Sequence, residues 1–584
     1  MIDFLRNADS EFWKNKFTPL LILLAVFTVY HAALFCGFVY DDSYLITQNP
    51  FIRDFKFIPQ MFAMDVTEMT PYQSASGYYR PFSMAVLPIL YSLFKLAPFG
   101  WHAFSLLLHA LNSILIFYIL RRLLSDPRAA FFGALVFAVH PVHVEAVVPV
   151  YNYMGVLSSC FVFGAVLAWM KYRSSEQLRY GIVAVLCYFG AVFSKEDAIV
   201  LPALLLVYDV FFFKVRFPIA WLKIFSDSIP FGVVAILYLA MRLLFVERGA
   251  ALGLWDIDNK FNLVAATGWF ERVGLLIQVY AEYLRMLVWP GTLTVFHSLP
   301  KLILPSMMAG LYSATIITAL FLVWRFRRYK IILFEAVWFL ITSFLISNLI
   351  PIGGLFAERL MYLPSAAFAF LCAWALERSL QSSRASKYVL ALCVLTVLTA
   401  YSWRTWAAVP VWKNNVTLWS HAATLAPDRS LPHLNLAEAL FERGEYAAAA
   451  KEYEIALRYP FKPWKAAALR QKLARCYGEL KQYDRAIEEL QRALKQWPSL
   501  EGAAFDIGWT YFLQNKHSEA EASFKASLNK EPKNAWFYFG LAELHRKKGD
   551  FAKSKEYDQR GLALAKDPQM KLYFEQQLSP KADA

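Results

Sequence analysis

Charge is scarce in this chain. Only 18% of its 584 residues are Asp, Glu, Lys or Arg, against 58% hydrophobic and 17% aromatic, which excludes an ordinary soluble protein. Cysteine is scarce too, and its six copies make no disulfide pattern. Cys36, Cys160, Cys187, Cys372 and Cys393 all lie in apolar stretches, as small buried side chains do. A small-residue cleavage site is missing after the first apolar run. That run, Phe17–Val39, covers 23 positions, too long for the core of a signal peptide, and reads as a retained anchor. What charge there is leans basic, at a net +14. In a soluble protein that balance would suggest nucleic acid. Here the Lys and Arg sit in short loops between apolar runs, where they set topology, and no nucleic-acid partner is expected.

The apolar residues concentrate in the first four hundred positions, in runs near the length a bilayer requires. From about Ala407 onward the chain turns charged and periodic. The expected fold is all-α: a polytopic transmembrane bundle over 1–406, then a soluble α-solenoid. Within the solenoid, 407–429 is a connector carrying half of a repeat-like helix pair, 430–568 holds the repeats and 569–584 is a C-terminal tail. Arg6, Lys14 and Lys16 flank the first run and put the N-terminus on the cytoplasmic side. Counting charges onward gives about eleven spans. Pro81–Ala97, interrupted by Pro88, reads as interfacial or re-entrant. So does 270–289, which carries Gln278, Glu282 and Arg285. Ala129–Val148 reads as one continuous span. This topology brings four polar clusters to one outer face, periplasmic or lumenal, together with the soluble domain. They are Asp41/Asp42, His140–Glu145, Lys195/Glu196 and Glu358/Arg359.

The repeats declare themselves by period. Leu473, Ala474, Tyr477, Ala486, Leu490, Ala493 and Pro498 recur 34 positions later as Ile507, Gly508, Tyr511, Ala520, Phe524, Ser527 and Pro532. This is the tetratricopeptide spacing, in which small residues let paired helices pack closely. Similar units cover roughly 430–461 and 535–568, about four in all. Such arrays bind peptides, helices or other proteins, which makes the groove a candidate surface for a protein or peptide acceptor.

Two adjacent carboxylates, Asp41 and Asp42, directly follow the first apolar run. An ionisable pair there is tolerated only at the interface or in a polar cavity. Like charges that close push carboxylate pKa values apart, which suits a general base and its partner. Adjacent side chains on an extended backbone diverge, so one is expected to reach an acceptor while the other orients a loop or binds a metal. A plain turn or helix cap accounts for the same residues. His140 and His143 would share one face of a helix, beside Glu145, although Pro141 lies between them. Hydrogen bonding to a phosphate or sugar, a metal pair and structural packing all fit that stretch; a divalent metal is possible but not indicated. Lys195 and Arg359 are cations beside the acids Glu196 and Glu358, and Arg80 precedes the helix at 81–97. A phosphate leaving group needs such donors, and ion pairing between loops would use the same residues. His297 and Glu247 are weaker candidates. Asn415-Val-Thr417 spells a glycosylation sequon, a signal three letters long.

Taken together, Phe38-Val-Tyr-Asp-Asp42, Tyr79-Arg-Pro-Phe82, Gly100-Trp-His102, Leu108-His-Ala110, His140-Pro-Val-His-Val-Glu145, Ser194-Lys-Glu196 and Ala357-Glu-Arg-Leu-Met-Tyr-Leu-Pro-Ser365 resemble one family. It is the transmembrane-and-tetratricopeptide O-mannosyltransferases (TMTC type), of the GT-C glycosyltransferase superfamily. The resemblance covers nearly the whole chain in order. It implies a polyprenyl- or dolichyl-phosphate sugar as donor and an inverting transfer to a Ser/Thr hydroxyl. Carried over, Asp41 and Asp42 take the acidic role; Arg80, Lys195 and Arg359 become phosphate-binding candidates; and His140, His143, Glu145, Glu196 and Glu358 line the site. The chain departs from the family at Tyr153-Met-Gly155, where Arg-x-Asp is usual, and at Asp197, where an amide is usual. The short array suggests a bacterial member in the inner membrane; a eukaryotic one would sit in the endoplasmic reticulum. Two other readings remain: a ligase or polymerase of lipid-linked glycans, and a non-catalytic membrane scaffold working through its repeats.

Overall fold

The computed structural model describes residues 17–71, 76–213, 219–246, 269–297, 306–347, 356–381 and 384–579. Arg6, Lys14, Lys16 and Glu247 lie outside them. Every regular element among the described residues is helical. The chain divides into two compact units, Met1–Leu418 and Trp419–Ala584.

Helices of ten residues or more are numbered in chain order. The first unit holds α1 (Phe17–Tyr30), α2 (Pro81–Phe94), α3 (Pro98–Leu123), α4 (Pro127–Val139), α5 (Tyr153–Ser175), α6 (Leu178–Ser194) and α7 (Leu201–Phe212). It continues with α8 (Ile219–Phe245), α9 (Trp269–Val288), α10 (Ser306–Phe326), α11 (Lys330–Ser343), α12 (Ala366–Leu380) and α13 (Arg384–Ala408). Among the described residues six helices are long and apolar enough to cross a membrane, and a bent pair around His140, counted as one span, makes a seventh. The protein is an integral membrane protein built as a polytopic helical bundle.

Several helices open on proline, whose fixed φ and missing N–H suit a first turn: Pro81, Pro98 and Pro127 each do this. A bilayer offers no hydrophobic drive between helices, so they associate through close packing of small residues. Gly133 on α4 shows how close. A Cβ there would lie 2.7 Å from both Ala373 Cβ and Leu120 Cδ1, and 2.8 Å from the Ala369 carbonyl. Some polar groups inside the bundle pair across helices, which offsets the cost of burying them. His109 on α3 bonds through Nδ1 to the Tyr362 hydroxyl at 2.8 Å and through Nε2 to the Ala138 carbonyl at 3.0 Å. Asn112 donates to the same hydroxyl at 2.9 Å and to the Val156 carbonyl at 2.8 Å.

The structure sharpens two expectations. The stretch 129–148 is not one continuous helix. Helix α4 ends at Val139, His140 turns extended (ψ 127°), and after a bend of 45° Pro141–Val147 forms a separate short helical run. Pro141 causes the break, because a residue before proline is driven out of the helical region. The segment 270–289, expected as re-entrant or interfacial, is one unbroken helix, α9, with no hairpin break. Leu275, Val279, Tyr283 and Leu287 make one buried stripe along it, packed with Val142, Ile346 and Met361. Gln278 is buried as well.

The boundary between the units falls inside α14 (Asn415–Leu425). The second unit then runs as antiparallel pairs: α15 (Ser430–Glu442) with α16 (Tyr446–Ala456), α17 (Pro463–Glu479) with α18 (Tyr483–Gln496), α19 (Ala503–Leu513) with α20 (His517–Lys530), and α21 (Ala535–Lys547) with α22 (Phe551–Leu564). Residues 569–584, expected as a tail, instead contribute most of a further helix, α23 (Pro568–Leu578). Its Met570 and Phe574 are buried against the last pair. Phe524 is the hub of the array. Added Cβ atoms on Gly508 and Gly540 would each come within 2.6 Å of its ring. Gly508→Leu should therefore destabilise the repeat unit by about 1–3 kcal/mol through overpacking. The measurement is thermal unfolding of the intact protein followed by tryptophan fluorescence, with Phe524→Ala in the same chain recovering part of the loss.

Candidate active site at one end of the bundle

Asp41 and Asp42 sit in a turn, not on an extended strand, just beyond the 3-10 segment that ends the first span. Tyr40, immediately before them, takes a left-handed φ of 53°. Asp42 is fully buried. Its Oδ2 accepts the Val39 N–H at 2.9 Å and its Oδ1 accepts the Tyr151 N–H at 2.7 Å. Both oxygens are thus spent on tying the loop to itself and to the segment before α5. Asp41 is half-buried, and among the described residues no backbone N–H restrains its carboxylate as Asp42 is restrained. The Tyr44 hydroxyl hydrogen-bonds to it and the Arg359 guanidinium stands nearby. Burial pushes its pKa up to about 6, with Arg359 and Tyr44 holding it back.

The remaining candidates meet around this loop as ion pairs. Arg359 donates its backbone N–H to Glu145 Oε2 at 2.9 Å and pairs through Nη1 with Glu145 Oε1. Its Nε and Nη2 have no partner among the described residues. Arg80 grips Glu196 with two bonds, Nε to Oε2 at 2.8 Å and Nη2 to Oε1 at 2.6 Å. Burial works against ionisation of Glu196, but Arg80 holds its pKa down to about 2. Lys195 pairs with Asp197 at 2.8 Å. Glu358 accepts the Thr294 N–H at 2.6 Å and lies 3.0 Å from His297 Nε2. Burial raises Glu358, and His297 draws it back.

His140 and His143 stand not on an α-helix but on one 3-10 turn, closed by the His143 N–H on the His140 carbonyl at 3.1 Å, and their rings lie 5.8 Å apart. Both are buried. His140 Nε2 bonds the Leu287 carbonyl at 2.9 Å, and His143 Nε2 bonds Ser365 Oγ at 2.8 Å. They pack behind the loops, edge to face with Tyr401 and against Phe137 and Tyr362. Among the described residues no three His, Cys, Asp or Glu are placed to hold a metal ion. The two departures from the family pattern meet at one lysine: a Cβ on Gly155 would lie 3.4 Å from Lys195 Nζ, while Asp197 binds that same ammonium. Sequence reasoning missed Tyr44, Tyr151 and Thr294, which act through the fold, and it gave Asn415 only a sequon. In fact Asn415 Oδ1 accepts the Tyr40 N–H at 2.8 Å.

Fold and site together describe a helical membrane protein with an acid-and-cation cluster at the end of its bundle and a separate unit of tetratricopeptide repeats. Comparison with known proteins agrees. Residues 80–244 match the family described as dolichyl-phosphate-mannose-protein mannosyltransferase, and 434–501 and 505–570 match the tetratricopeptide repeat. The chain is similar to protein O-mannosyl-transferase TMTC3 of Homo sapiens, 23% identical over 90% of this chain and 65% of that one. It is also similar to protein O-mannosyl-transferase F38B6.6 of Caenorhabditis elegans, 25% identical over 75% of this chain and 62% of the other. The chain thus spans about three-fifths of the length of these relatives. Among solved structures, ArnT from Cupriavidus metallidurans bound to undecaprenyl phosphate is 13% identical with a TM-score of 0.42, over 80% of this chain and 79% of that one.

Proposed function

We propose that the protein is a membrane glycosyltransferase of the GT-C type that moves a sugar from a polyprenyl phosphate to a Ser or Thr hydroxyl of a protein. The observation that carries this reading is Asp41: a half-buried carboxylate beside Tyr44 and the partly exposed Arg359. In the proposed step the hydroxyl oxygen attacks the anomeric carbon from the face opposite the phosphate. The bond from that carbon to the phosphate oxygen breaks, the configuration inverts, and the hydroxyl proton passes to Asp41. Arg359, Arg80 and Lys195 are each held by a carboxylate and offer fixed donors to the departing phosphate. Asp42 shapes the loop.

Basic loops support an outer-face site and a cytoplasmic N-terminus. The repeat unit would recruit the acceptor. Its helices α19 and α21 stack Phe505 on Trp509 at 5.8 Å and Trp509 on Phe539 at 5.5 Å, with a half-exposed Trp536 alongside. Such a row suits apolar and aromatic side chains of a peptide. The test is transfer by purified protein in nanodiscs, with a panel of polyprenyl-phosphate sugars and a pool of outer-compartment proteins. Covalent sugar on Ser or Thr from at least one donor is expected. No product from any donor would defeat the enzymatic reading and favour a scaffold.

A further inference from the structure

We infer that Asn415 is a positioning residue for Asp41, and that the turn after the last transmembrane helix is a strap that sets the acidic loop. This rests on the reading of Asp41 as the base. Two hydrogen bonds make the strap, and both cross nearly four hundred residues of sequence. The Gly37 N–H donates to the Lys413 carbonyl at 2.9 Å, and the Tyr40 N–H donates to Asn415 Oδ1 at 2.8 Å. They grip the loop on either side of Phe38 and Val39, immediately before the carboxylates.

The gripped residue is the strained one. Tyr40 has φ 53°, a region costly for any side chain with a Cβ. Such a conformation persists only where its surroundings hold it. Asp42 holds the chain on one side through the Val39 N–H, and Asn415 holds it on the other. Tyr40 decides which way Asp41 faces, so the amide that fixes Tyr40 fixes the base.

The strap is itself rigid. Val409–Trp412 forms a 3-10 turn with Val409 and Trp412 buried. Asn414 and Thr417 then cap α14 reciprocally: the Thr417 N–H donates to Asn414 Oδ1 at 3.0 Å and the Asn414 N–H donates to Thr417 Oγ1 at 3.1 Å. Thr417 Oγ1 also donates to the Val411 carbonyl at 3.0 Å. Within Asn415-Val-Thr417, then, the amide oxygen and the hydroxyl are both committed to this fold. The letters that spell a glycosylation sequon serve the loop.

The experiment compares wild type, Asn415→Ala and Asn415→Asp in nanodiscs by two independent readouts. The first is hydrogen–deuterium exchange of the peptide spanning Gly37 to Asp42, which needs no activity. The second is kcat and KM for the donor. Asn415→Ala should speed exchange in that peptide and lower kcat by about 10–100-fold with donor KM unchanged, as displacement of a catalytic group does. Asn415→Asp keeps the acceptor oxygen and should restore slow exchange and most of kcat. Should Asn415→Ala not fold, Asn415→Gln, with the same amide set one methylene too far out, takes its place. Unchanged exchange in that peptide overturns the inference, whatever happens to transfer. Faster exchange with kcat unchanged overturns the link to the base. Faster exchange in a protein whose wild type transfers nothing would keep the strap and sink the proposed function instead.

Discussion

Asp41→Asn is expected to lower sugar transfer by about 10²–10⁴-fold, the range spanned by loss of a general base, while donor binding stays intact. Asn keeps the size of the side chain and still accepts from Tyr44, but it takes no proton. Asp42→Asn should fail differently. Asp42 gives one oxygen to the Val39 N–H and the other to the Tyr151 N–H. An amide presents NH2 to one of those donors and leaves a buried clash, so thermal stability should fall together with activity. Titration separates the roles further. Burial raises Asp41 to about 6. The base works ionised, so kcat/KM should climb with pH through about 6 and level off above. Arg359 is the largest influence pulling that value down. Arg359→Gln removes it, so the acid limb should shift to higher pH as well as losing amplitude. A pH profile of Asp41→Asn that keeps the wild-type limb would move the base elsewhere.

The two layers of the fold were legible because their signals are periodic. Apolar runs of bilayer length betray spans, and a 34-residue period betrays the repeats. Asp41 and Asp42 stood out because a charge pair at the end of a span is costly unless used. What one sequence cannot show is who meets whom across the chain. Arg80 finds Glu196, Arg359 finds Glu145 and Tyr40 finds Asn415, each over more than a hundred positions. Cations that read as open phosphate donors therefore proved to be held by acids. Lys195 with Asp197 was closer to hand. Lys195 is the extended cap (φ −159°, ψ 137°) of the 3-10 segment Glu196–Val200, and Asp197 lies in the first turn of that segment. The break at Pro141 was also written in the letters. A single long apolar run over 129–148 outweighed it in the reading, which put His140 and His143 on a helix; they meet instead across one 3-10 turn.

Arg173 makes the same point from the other end of the bundle, and it carries the largest expected stability effect. Counted as a loop cation that fixes topology, it is in fact nearly buried, with 3% of its side chain exposed. Its Nη2 meets Asp209 Oδ2 at 2.6 Å and its Nε meets Asp209 Oδ1 at 3.0 Å, while Nη1 pairs with Asp227. Trp169 donates to Asp209 at 3.1 Å, and its ring lies 4.4 Å from the guanidinium. The network pins α5 to α7 and α8. Asp209→Leu removes the better-buried partner and strands the guanidinium, which should cost about 3–5 kcal/mol. The check is thermal unfolding of purified protein in nanodiscs. Arg173→Met added to Asp209→Leu and Asp227→Asn should recover much of the loss, because a buried ion network and well-packed apolar side chains are often near parity. Arg173 lies twenty residues along α5 from Tyr153, about 30 Å at helical rise. Below its unfolding temperature, Asp209→Leu should therefore keep the wild-type pH profile of transfer. An altered acid limb would mean that the two ends of the bundle are coupled.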